Sequence, residues 1–155
     1  MAKKLALVAS KGSLDWAYPP FILASTAAAL DYEVQIFFTF YGLTLLKKDL
    51  GDLKVSPLGN PAMPMPVPMP NFVQMLPGME SMATMMMKRK IADKGVASIE
   101  DLRTACLESG VKFIACQMTV DLFDFSSADF IDGIEYGGAA TFFQFAGESD
   151  VNLFI

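Results

Sequence analysis

The chain has 155 residues, of which 53% are apolar and 19% are charged. These values favour one domain with a substantial buried core, so we interpret residues 1–155 as a single domain. A net charge of −5 gives no basic field for phosphates, and we expect no nucleic-acid partner. Because there is no histidine and there are only two cysteines, the composition excludes histidine-based catalysis, imidazole-ligated metals and a disulfide framework.

The first residues favour a cytoplasmic location. Lys3 and Lys4 precede an apolar run over residues 5–9. This run is shorter than a signal-peptide core and far below the roughly 20 residues of a membrane-spanning helix. We therefore expect a cytoplasmic protein.

The predicted elements alternate between strands and helices along the chain. Short apolar or β-branched runs predict strands over residues 5–9, 33–40, 111–116, 134–136 and 151–154. Helix-favouring runs predict helices over residues 17–30, 43–50, 78–94, 98–108 and 139–145, with a short one starting at Ser126 or Ser127. This alternation predicts a three-layer α/β domain with a mainly parallel five-stranded sheet.

Three local details accompany these elements. Pro19 and Pro20 fit the first predicted helix only in its first turn, where a missing N–H costs little. Ser98 is a suitable N-cap for the helix that follows it, and Thr119 or a neighbour is expected to cap the helix after the third strand. A stripe of methionines is expected on one face of the helix over residues 78–94, at positions 75, 79, 82 and 86.

An insert at about 55–87 differs in composition from the rest of the chain. Seven of the nine prolines fall between positions 57 and 77, and nine of the eleven methionines fall between 63 and 87. Such dense prolines favour an extended segment. The segment 55–79 has no charged residue, so a lid, an oligomer interface, a partner contact and a membrane contact all remain open. Thioether binding of Cu(I) is the weakest alternative, because the methionines lack regular spacing.

The predicted site lies at the carboxyl edge of the sheet, where α/β proteins bind their ligands. Cys116 ends the third predicted strand, and the N–H groups of the next helix would favour its thiolate, so we predict that it is the catalytic residue. The residues predicted to line the pocket are Lys11, Gly12, Tyr41, Gly42, Gln117, Met118, Thr119, Gly137 and Gly138. We expect no metal and no cofactor.

Each of these candidate site residues also has a purely structural interpretation. A cysteine at the end of an apolar strand is often inert packing, and Cys106, inside a predicted helix, is interpreted as core or as a second relay thiol. The residues after the first strand, Lys11 and Gly12, lack the spacing of a phosphate loop and favour a tight turn. For Gly137 and Gly138 two interpretations are open: their bare N–H groups could bind an anion, or their small size could let helix and strand pack closely.

Four segments resemble the DsrE/DsrF-like family, in its subgroup with a long Met- and Pro-rich insert. They are Ala-Ser-Lys-Gly at 9–12 with Leu-Asp-Trp-Ala-Tyr-Pro-Pro at 14–20, Ile-Phe-Phe-Thr-Phe-Tyr-Gly-Leu at 36–43, Gly-Val-Lys-Phe-Ile-Ala-Cys-Gln-Met at 110–118 and Gly-Ile-Glu-Tyr-Gly-Gly-Ala-Ala at 133–140. The Ala-Cys-Gln-Met segment is the most specific, and the resemblance covers essentially the whole chain.

The resemblance implies a flavodoxin-like fold, assembly into oligomers and a sulfur relay in which Cys116 carries sulfane sulfur as a persulfide. A sulfur carrier or sulfurtransferase-like protein, with sulfur donor and acceptor proteins as partners, is therefore the leading hypothesis. Whether the chain is itself an enzyme stays open, because members of the family differ in assigned transfer activity. Some relatives in the subgroup are membrane-associated, so peripheral membrane contact is also open.

Two alternatives remain beside the relay. The first is a non-enzymatic assembly or membrane-docking module that uses the Met/Pro-rich insert, indicated by the uncharged segment. The second is a flavin-binding domain, which rests on the fold alone.

Overall fold

A computed structural model describes residues 1–55, 72 and 76–155. It contains a five-stranded sheet in the order β4-β3-β2-β1-β5, and each neighbouring pair is parallel. The strands are β1 (Lys4–Ala9), β2 (Glu33–Phe38), β3 (Lys112–Cys116), β4 (Ile134–Gly137) and β5 (Val151–Phe154). The predicted five-stranded parallel α/β fold is confirmed.

Helices connect the strands. They are α1 (Leu14–Ala29), α2 (Met79–Asp93), α3 (Ile99–Glu108), α4 (Gln117–Leu122) and α5 (Ala139–Ala146), together with 3-10 helices at Phe40–Leu46 and Ser127–Asp129. The predicted cap at the start of α3 is present, because the Ser98 side chain accepts a hydrogen bond from the Asp101 N–H at 3.1 Å.

The direction of each crossover decides which face of the sheet its helix covers. The chain steps from β1 to β2 to β3 in one direction, and right-handed crossovers place α1 and α3 together on one face. The step from β4 to β5 runs back across the whole sheet, so the same handedness places α5 on the opposite face. We call these the α1 face and the α5 face.

The two faces are unequally covered. The α1 face holds the large core, in which Phe21 of α1 packs against Phe38 and Phe113 with ring centroids 6.1 and 5.9 Å apart. The α5 face has a small cluster of four buried residues, Val8, Phe37, Ile114 and Cys116. A single helix such as α5 is about 10–12 Å wide with its side chains, whereas five strands span about 19 Å. Therefore α5 alone leaves part of its face open.

Several predicted details are wrong. Helix α1 begins at Leu14, so Pro19 and Pro20 lie in its second turn rather than its first. Two backbone hydrogen bonds of the helix are lost there. The second strand ends at Phe38, two residues early, and the predicted helix over 43–50 is instead the 3-10 helix Phe40–Leu46. The turn begins at Phe40, whose φ is +48°.

The methionine stripe of α2 does not face the core. Ala83 and Thr84 are the buried residues of this helix, and Met82 and Met86 are exposed. Periodicity predicted the helix and its stripe of methionines, but it does not show whether such a stripe is buried, because methionine and alanine fit an apolar pattern equally well. Met75 and most of the insert lie outside the described residues.

Within the described ranges, no helix combines the length and the apolar character that crossing a bilayer requires.

Candidate functional site

Cys116 is the last residue of β3 and directly precedes α4. Because side chains alternate along a strand, Ile114 and Cys116 both point to the α5 face. There Cys116 packs with Val8, Phe37 and the partly buried Phe142. The thiol therefore lies at the carboxyl edge of the sheet, under the first turns of α5.

The thiol is less accessible than the sequence predicts. A binding-edge cysteine is expected to be reachable, whereas Cys116 retains only 5% of its exposed surface. Met118, two residues further on, is well exposed. The sulfur is therefore enclosed by side chains close to the surface, and a reacting partner reaches it only if some of these side chains move.

Hydrogen-bond donors around Cys116 favour its charged form. Burial acts to raise the pKa, but it is outweighed by the hydroxyl and N–H of Thr119, the hydroxyl of Thr39 and the N–H of Met118, so the pKa of Cys116 lies below its ordinary value. The neutral thiol makes no capping hydrogen bond to α4. The lowered pKa favours the thiolate, which is the nucleophilic form.

The hydroxyl of Thr119 is held in a fixed position. Thr119 is fully buried, and its Oγ1 accepts a hydrogen bond from the Phe40 N–H at 3.3 Å. The Thr39 and Thr119 hydroxyl oxygens are 3.4 Å apart. Thr119 lies inside α4, and Cys116 itself occupies the cap position. The expectation of a Thr119 cap is therefore wrong, and the residue instead links α4 to the segment that follows β2.

The second cysteine has the opposite environment. Cys106 of α3 is 0% exposed, and its Sγ donates to the Phe21 carbonyl at 3.4 Å. Burial raises the pKa of the Cys106 thiol to about 12. The interpretation of Cys106 as a core residue agrees with this position.

Three of the predicted pocket residues line a groove of their own. Lys11, Gly12 and Tyr41 line an open groove of about 570 Å³, and the described residues that line it include none from β3 or α4. The Lys11 ammonium stacks over the Trp16 ring, 3.3 Å from its centroid. The structure thus places the Lys11 charge in this groove rather than beside Cys116.

Gly12 and Gly42 allow a close approach of two loops. A Cβ at Gly42 would collide with the Ala9 carbonyl, and one at Gly12 would collide with Thr44 and the Tyr41 carbonyl. Both positions therefore need glycine for packing. For Gly12 this agrees with the tight-turn interpretation of the residues after β1.

Other predicted residues are neighbours of Cys116 in the chain or in the sheet: Gln117, Met118 and Thr119 follow it in α4, and Gly137 lies beside it in β4. Gly137 pairs with Cys116 in the register of β3 and β4, and a Cβ there would meet the Thr141 side chain at 2.7 Å. The Gly138 N–H donates to Thr141 Oγ1 at 3.4 Å. Gln117 is exposed and donates to Asp121 at 2.7 Å. The edge therefore divides into a groove beside β1 and a thiol site at the end of β3.

Sequence reasoning missed two residues of the thiol site. Thr39 follows β2, the neighbour of β3, so the sheet-edge argument that selected Tyr41 and Gly42 could also have found it. Phe142 carried no signal in the sequence, because the position of α5 over Cys116 depends on the long crossover from β4 to β5.

The described ranges contain no group of three or more cysteine, histidine or acidic side chains arranged to hold a metal ion.

Comparisons with known proteins identify relatives of this chain over nearly its whole length. The model of the DsrE/DsrF/DrsH-like family matches residues 1–154. The "Sulfur carrier protein DsrE2" of Allochromatium vinosum is 68% identical over 157 residues, with 99% of this chain and 98% of the relative covered. The uncharacterised protein YrkE of Bacillus subtilis is 35% identical over 164 residues, with 99% and 97% covered.

A solved structure extends the comparison to the fold. The crystal structure of the ychN protein from E. coli matches with a TM-score of 0.56 and 13% identity, and the match covers 99% of both chains. At that identity the match supports the fold alone. Together with the family match over residues 1–154, these comparisons establish that the chain belongs to the DsrE/DsrF/DrsH-like family.

Proposed function

We propose that this protein is a sulfur carrier that relays sulfane sulfur as a persulfide on Cys116. The observation that carries the proposal is the position of the Cys116 thiol at the carboxyl edge of the sheet, between β3 and α4; its lowered pKa supports the same role. The 68% identical relative is named a sulfur carrier protein, which supports the same function. The donor and acceptor are other proteins whose cysteines exchange sulfur with Cys116.

Each step of the relay is a thiolate exchange. The Cys116 thiolate attacks the outer sulfur of a donor persulfide, forms Cys116–S–SH and releases the donor thiolate. An acceptor thiolate then attacks the outer sulfur of Cys116–S–SH, becomes a persulfide and restores the Cys116 thiolate. Sulfur and electrons balance in both steps, and neither step calls for a metal, a flavin or a base.

Access to Cys116 follows from the side chains that cover it. Phe142 is partly buried against the thiol cluster, and Met118 is exposed at its edge. Rotation of such side chains needs no change in the sheet. We expect a docked partner to displace them and to reach the sulfur.

Sulfur loading tests the proposal directly. The full chain is incubated with glutathione persulfide, and its intact mass is measured. We expect the wild type to gain one sulfur atom and Cys116→Ser to gain none, whereas Cys106→Ala still loads because its thiol is fully buried. Equal loading of Cys116→Ser and the wild type would exclude the proposed carrier residue.

We further propose that a second copy of the chain packs on the α5 face. Phe143 is 69% exposed on α5, and Phe154 of β5 is 77% exposed. Phe154 pairs with Val8 in register, so it points to the same face. In sedimentation velocity, Phe143→Ser should shift the chain to a smaller species. Thr104→Ser on α3 is the control and should sediment like the wild type. An unchanged distribution of sedimentation coefficients for Phe143→Ser would argue against this interface.

The alternative function is docking on a membrane or a partner protein through α2. Exposed Met82 and Met86 precede exposed Lys88, Arg89 and Lys90 on this helix. Apolar and basic side chains together suit an anionic lipid surface. Co-sedimentation with vesicles that contain phosphatidylserine, lost in a Lys88→Glu/Lys90→Glu variant, would favour this function. No co-sedimentation would count against it.

We propose that the protein is located in the cytoplasm, because a carrier that works through free thiols suits a reducing compartment.

A further inference from the structure

An exposed apolar patch lies on α4 and the segment that follows β2. Phe40, Tyr41, Met118 and Leu122 are all exposed. The Tyr41 and Phe40 rings both contact the ring of Phe123, with centroids 5.9 and 6.3 Å apart. Neighbouring exposed apolar side chains of this size are typical of a protein-binding surface. We call residues 40, 41, 118, 122 and 123 the apolar patch.

The apolar patch is continuous with the thiol site. Helix α4 begins directly after Cys116, and Met118 and Leu122, four residues apart, lie on one side of this helix. On the other side of the patch, the Phe40 N–H donates to Thr119 Oγ1 at 3.3 Å. A protein that covers the patch therefore has its contact surface beside Cys116.

Acidic side chains accompany the patch. All twelve Lys and Arg residues lie in residues 1–112, whereas residues 113–155 contain seven Asp and Glu. Asp121 and Asp124 stand on either side of Leu122 in the chain, and Glu135 points to the α5 face like Cys116, because it pairs with Ile114 in register. We call the exposed residues Asp121, Asp124 and Glu135 the acidic rim. None of the three takes part in an ion pair within the part of the chain that the structure describes.

The acidic rim is close enough to Cys116 to act on an approaching molecule. Asp121 follows Cys116 by five residues, which is about 7.5 Å along the axis of α4. Strand spacing places the Cα atom of Glu135 about 8 Å from that of Cys116. Both separations are no longer than the Debye length of about 8–10 Å at ordinary ionic strength. The rim charges are therefore not screened from a molecule that reaches the thiol.

Basic side chains elsewhere do not neutralise this rim. The Asp129 carboxylate has Lys47 and Lys48 as its charged neighbours, and the Lys48 N–H donates to the Asp129 carbonyl at 3.1 Å. For this reason Asp129 is left out of the rim. Lys112 begins β3, four residues before Cys116, which is about 13 Å along the strand and beyond a Debye length.

We propose that the apolar patch and the acidic rim dock a protein whose reactive cysteine lies among lysine, arginine and apolar side chains. This partner exchanges sulfur with Cys116, so the inference rests on the carrier function proposed above and adds the chemistry of its partner. The acidic rim steers a basic surface to the thiol, and the apolar patch holds it there.

The same basic side chains have a second effect on the transfer step. Lysine and arginine next to a cysteine lower its pKa and favour the thiolate, which is the form that takes the outer sulfur from Cys116–S–SH and restores the Cys116 thiolate. The partners that the acidic rim attracts are therefore those whose own thiol is ready to react. Acidic thiols are repelled by the rim.

Transfer to synthetic peptides tests the proposal. The full chain is loaded with glutathione persulfide at about 0.5 M salt, where the rim is screened, loading is verified by intact mass, and the salt is removed. Three peptides of equal length with one cysteine each then accept the sulfur: one rich in lysine and leucine, one in lysine and serine, and one in glutamate and leucine. We expect the lysine–leucine peptide to react at least about tenfold faster than the glutamate–leucine peptide at low salt, and this advantage to shrink to about twofold at about 0.5 M salt.

Charge variants locate the effect at the rim. Asp121→Asn/Glu135→Gln removes two rim charges and should lower the advantage of the lysine–leucine peptide about threefold. Asp31→Asn/Glu108→Gln makes the same two changes where β2 and β3 begin, at the opposite edge of the sheet, and should leave the advantage unchanged. The thiol reactivity of each peptide cancels, because the same peptides are compared in all variants. An equal advantage in wild type and in the rim variant overturns the proposal.

A patch variant tests the apolar part. Met118→Ser/Leu122→Ser should remove the difference between the lysine–leucine and lysine–serine peptides. If this variant changes only the sedimentation velocity and no transfer rate, the patch holds a second copy of the chain and the proposed docking is wrong. Absence of sulfur on wild-type Cys116 would instead reject the carrier function itself, so the two failures are distinguishable.

Discussion

The two cysteines are both buried, yet their surroundings give them opposite chemistry. Cys106 is enclosed by the large core of the α1 face, and burial raises its pKa to about 12. Cys116 belongs to the small cluster of the α5 face, where hydroxyl and N–H donors lower its pKa despite burial. The donors near a buried thiol, rather than its exposure alone, therefore decide how readily it ionises to the nucleophilic thiolate.

The largest expected difference between the two thiols is their rate of alkylation. The pKa of Cys106 is about 12, against an ordinary 9.0, so its thiolate fraction at neutral pH is about a thousandfold below that of an ordinary thiol. The pKa of Cys116 is lowered, so its thiolate fraction lies above that of an ordinary thiol. Iodoacetamide at neutral pH should therefore modify Cys116 and leave Cys106 intact in the folded chain. Peptide mass spectrometry measures both sites in one sample. Comparable rates at the two sites would remove the proposed distinction.

A smaller difference is expected in stability. Cys106→Ala removes a fully buried sulfur from the large core and should lower the free energy of unfolding by about 1–2 kcal/mol, without loss of sulfur loading. Cys116→Ala should abolish loading and cost less stability, because its cluster is smaller. Urea denaturation followed by circular dichroism measures the stability of both variants. A larger loss of stability for Cys116→Ala than for Cys106→Ala would contradict the assignment of Cys106 to the core and of Cys116 to the site.

The smallest expected effect concerns the pH dependence of Cys116. The donors lower its pKa because they favour the thiolate, so Thr39→Val should raise the pKa. The midpoint of alkylation rate against pH should then move upward by up to about one unit, and the rate at neutral pH should fall. Because Thr39 supplies one of four donor contacts, its effect should be smaller than that of Thr119→Val. A downward shift of the midpoint would show that the hydroxyl favours the neutral thiol.

Much of the fold could be predicted from the sequence. The apolar runs before Ser10 and Gln117 identified buried strands, and residues 151–154 were assigned correctly as the last strand. The resemblance to the DsrE/DsrF-like family, seen in segments such as 110–118, agrees with the family match. These features are local, and periodicity and turn residues encode them directly.

The site could be predicted only in part. Strand ends correctly indicated where loops gather, but they could not separate the groove around Lys11 from the thiol site around Cys116, since strand order and loop paths are not local properties. The burial of Cys116 by Phe142 depends on the crossover of α5 over the sheet. The exposed methionines of α2 show the same limit, because apolar patterning does not distinguish a buried face from an exposed one.

The most direct measurement of the central claim is to locate the added sulfur in the unmodified protein. Wild-type chain is loaded with glutathione persulfide, free thiols are blocked, and the persulfide is trapped by alkylation and mapped by peptide mass spectrometry. Our account predicts the added sulfur on the peptide that contains Cys116 and an unmodified thiol at Cys106. Sulfur found on Cys106, or divided equally between the two cysteines, would contradict it.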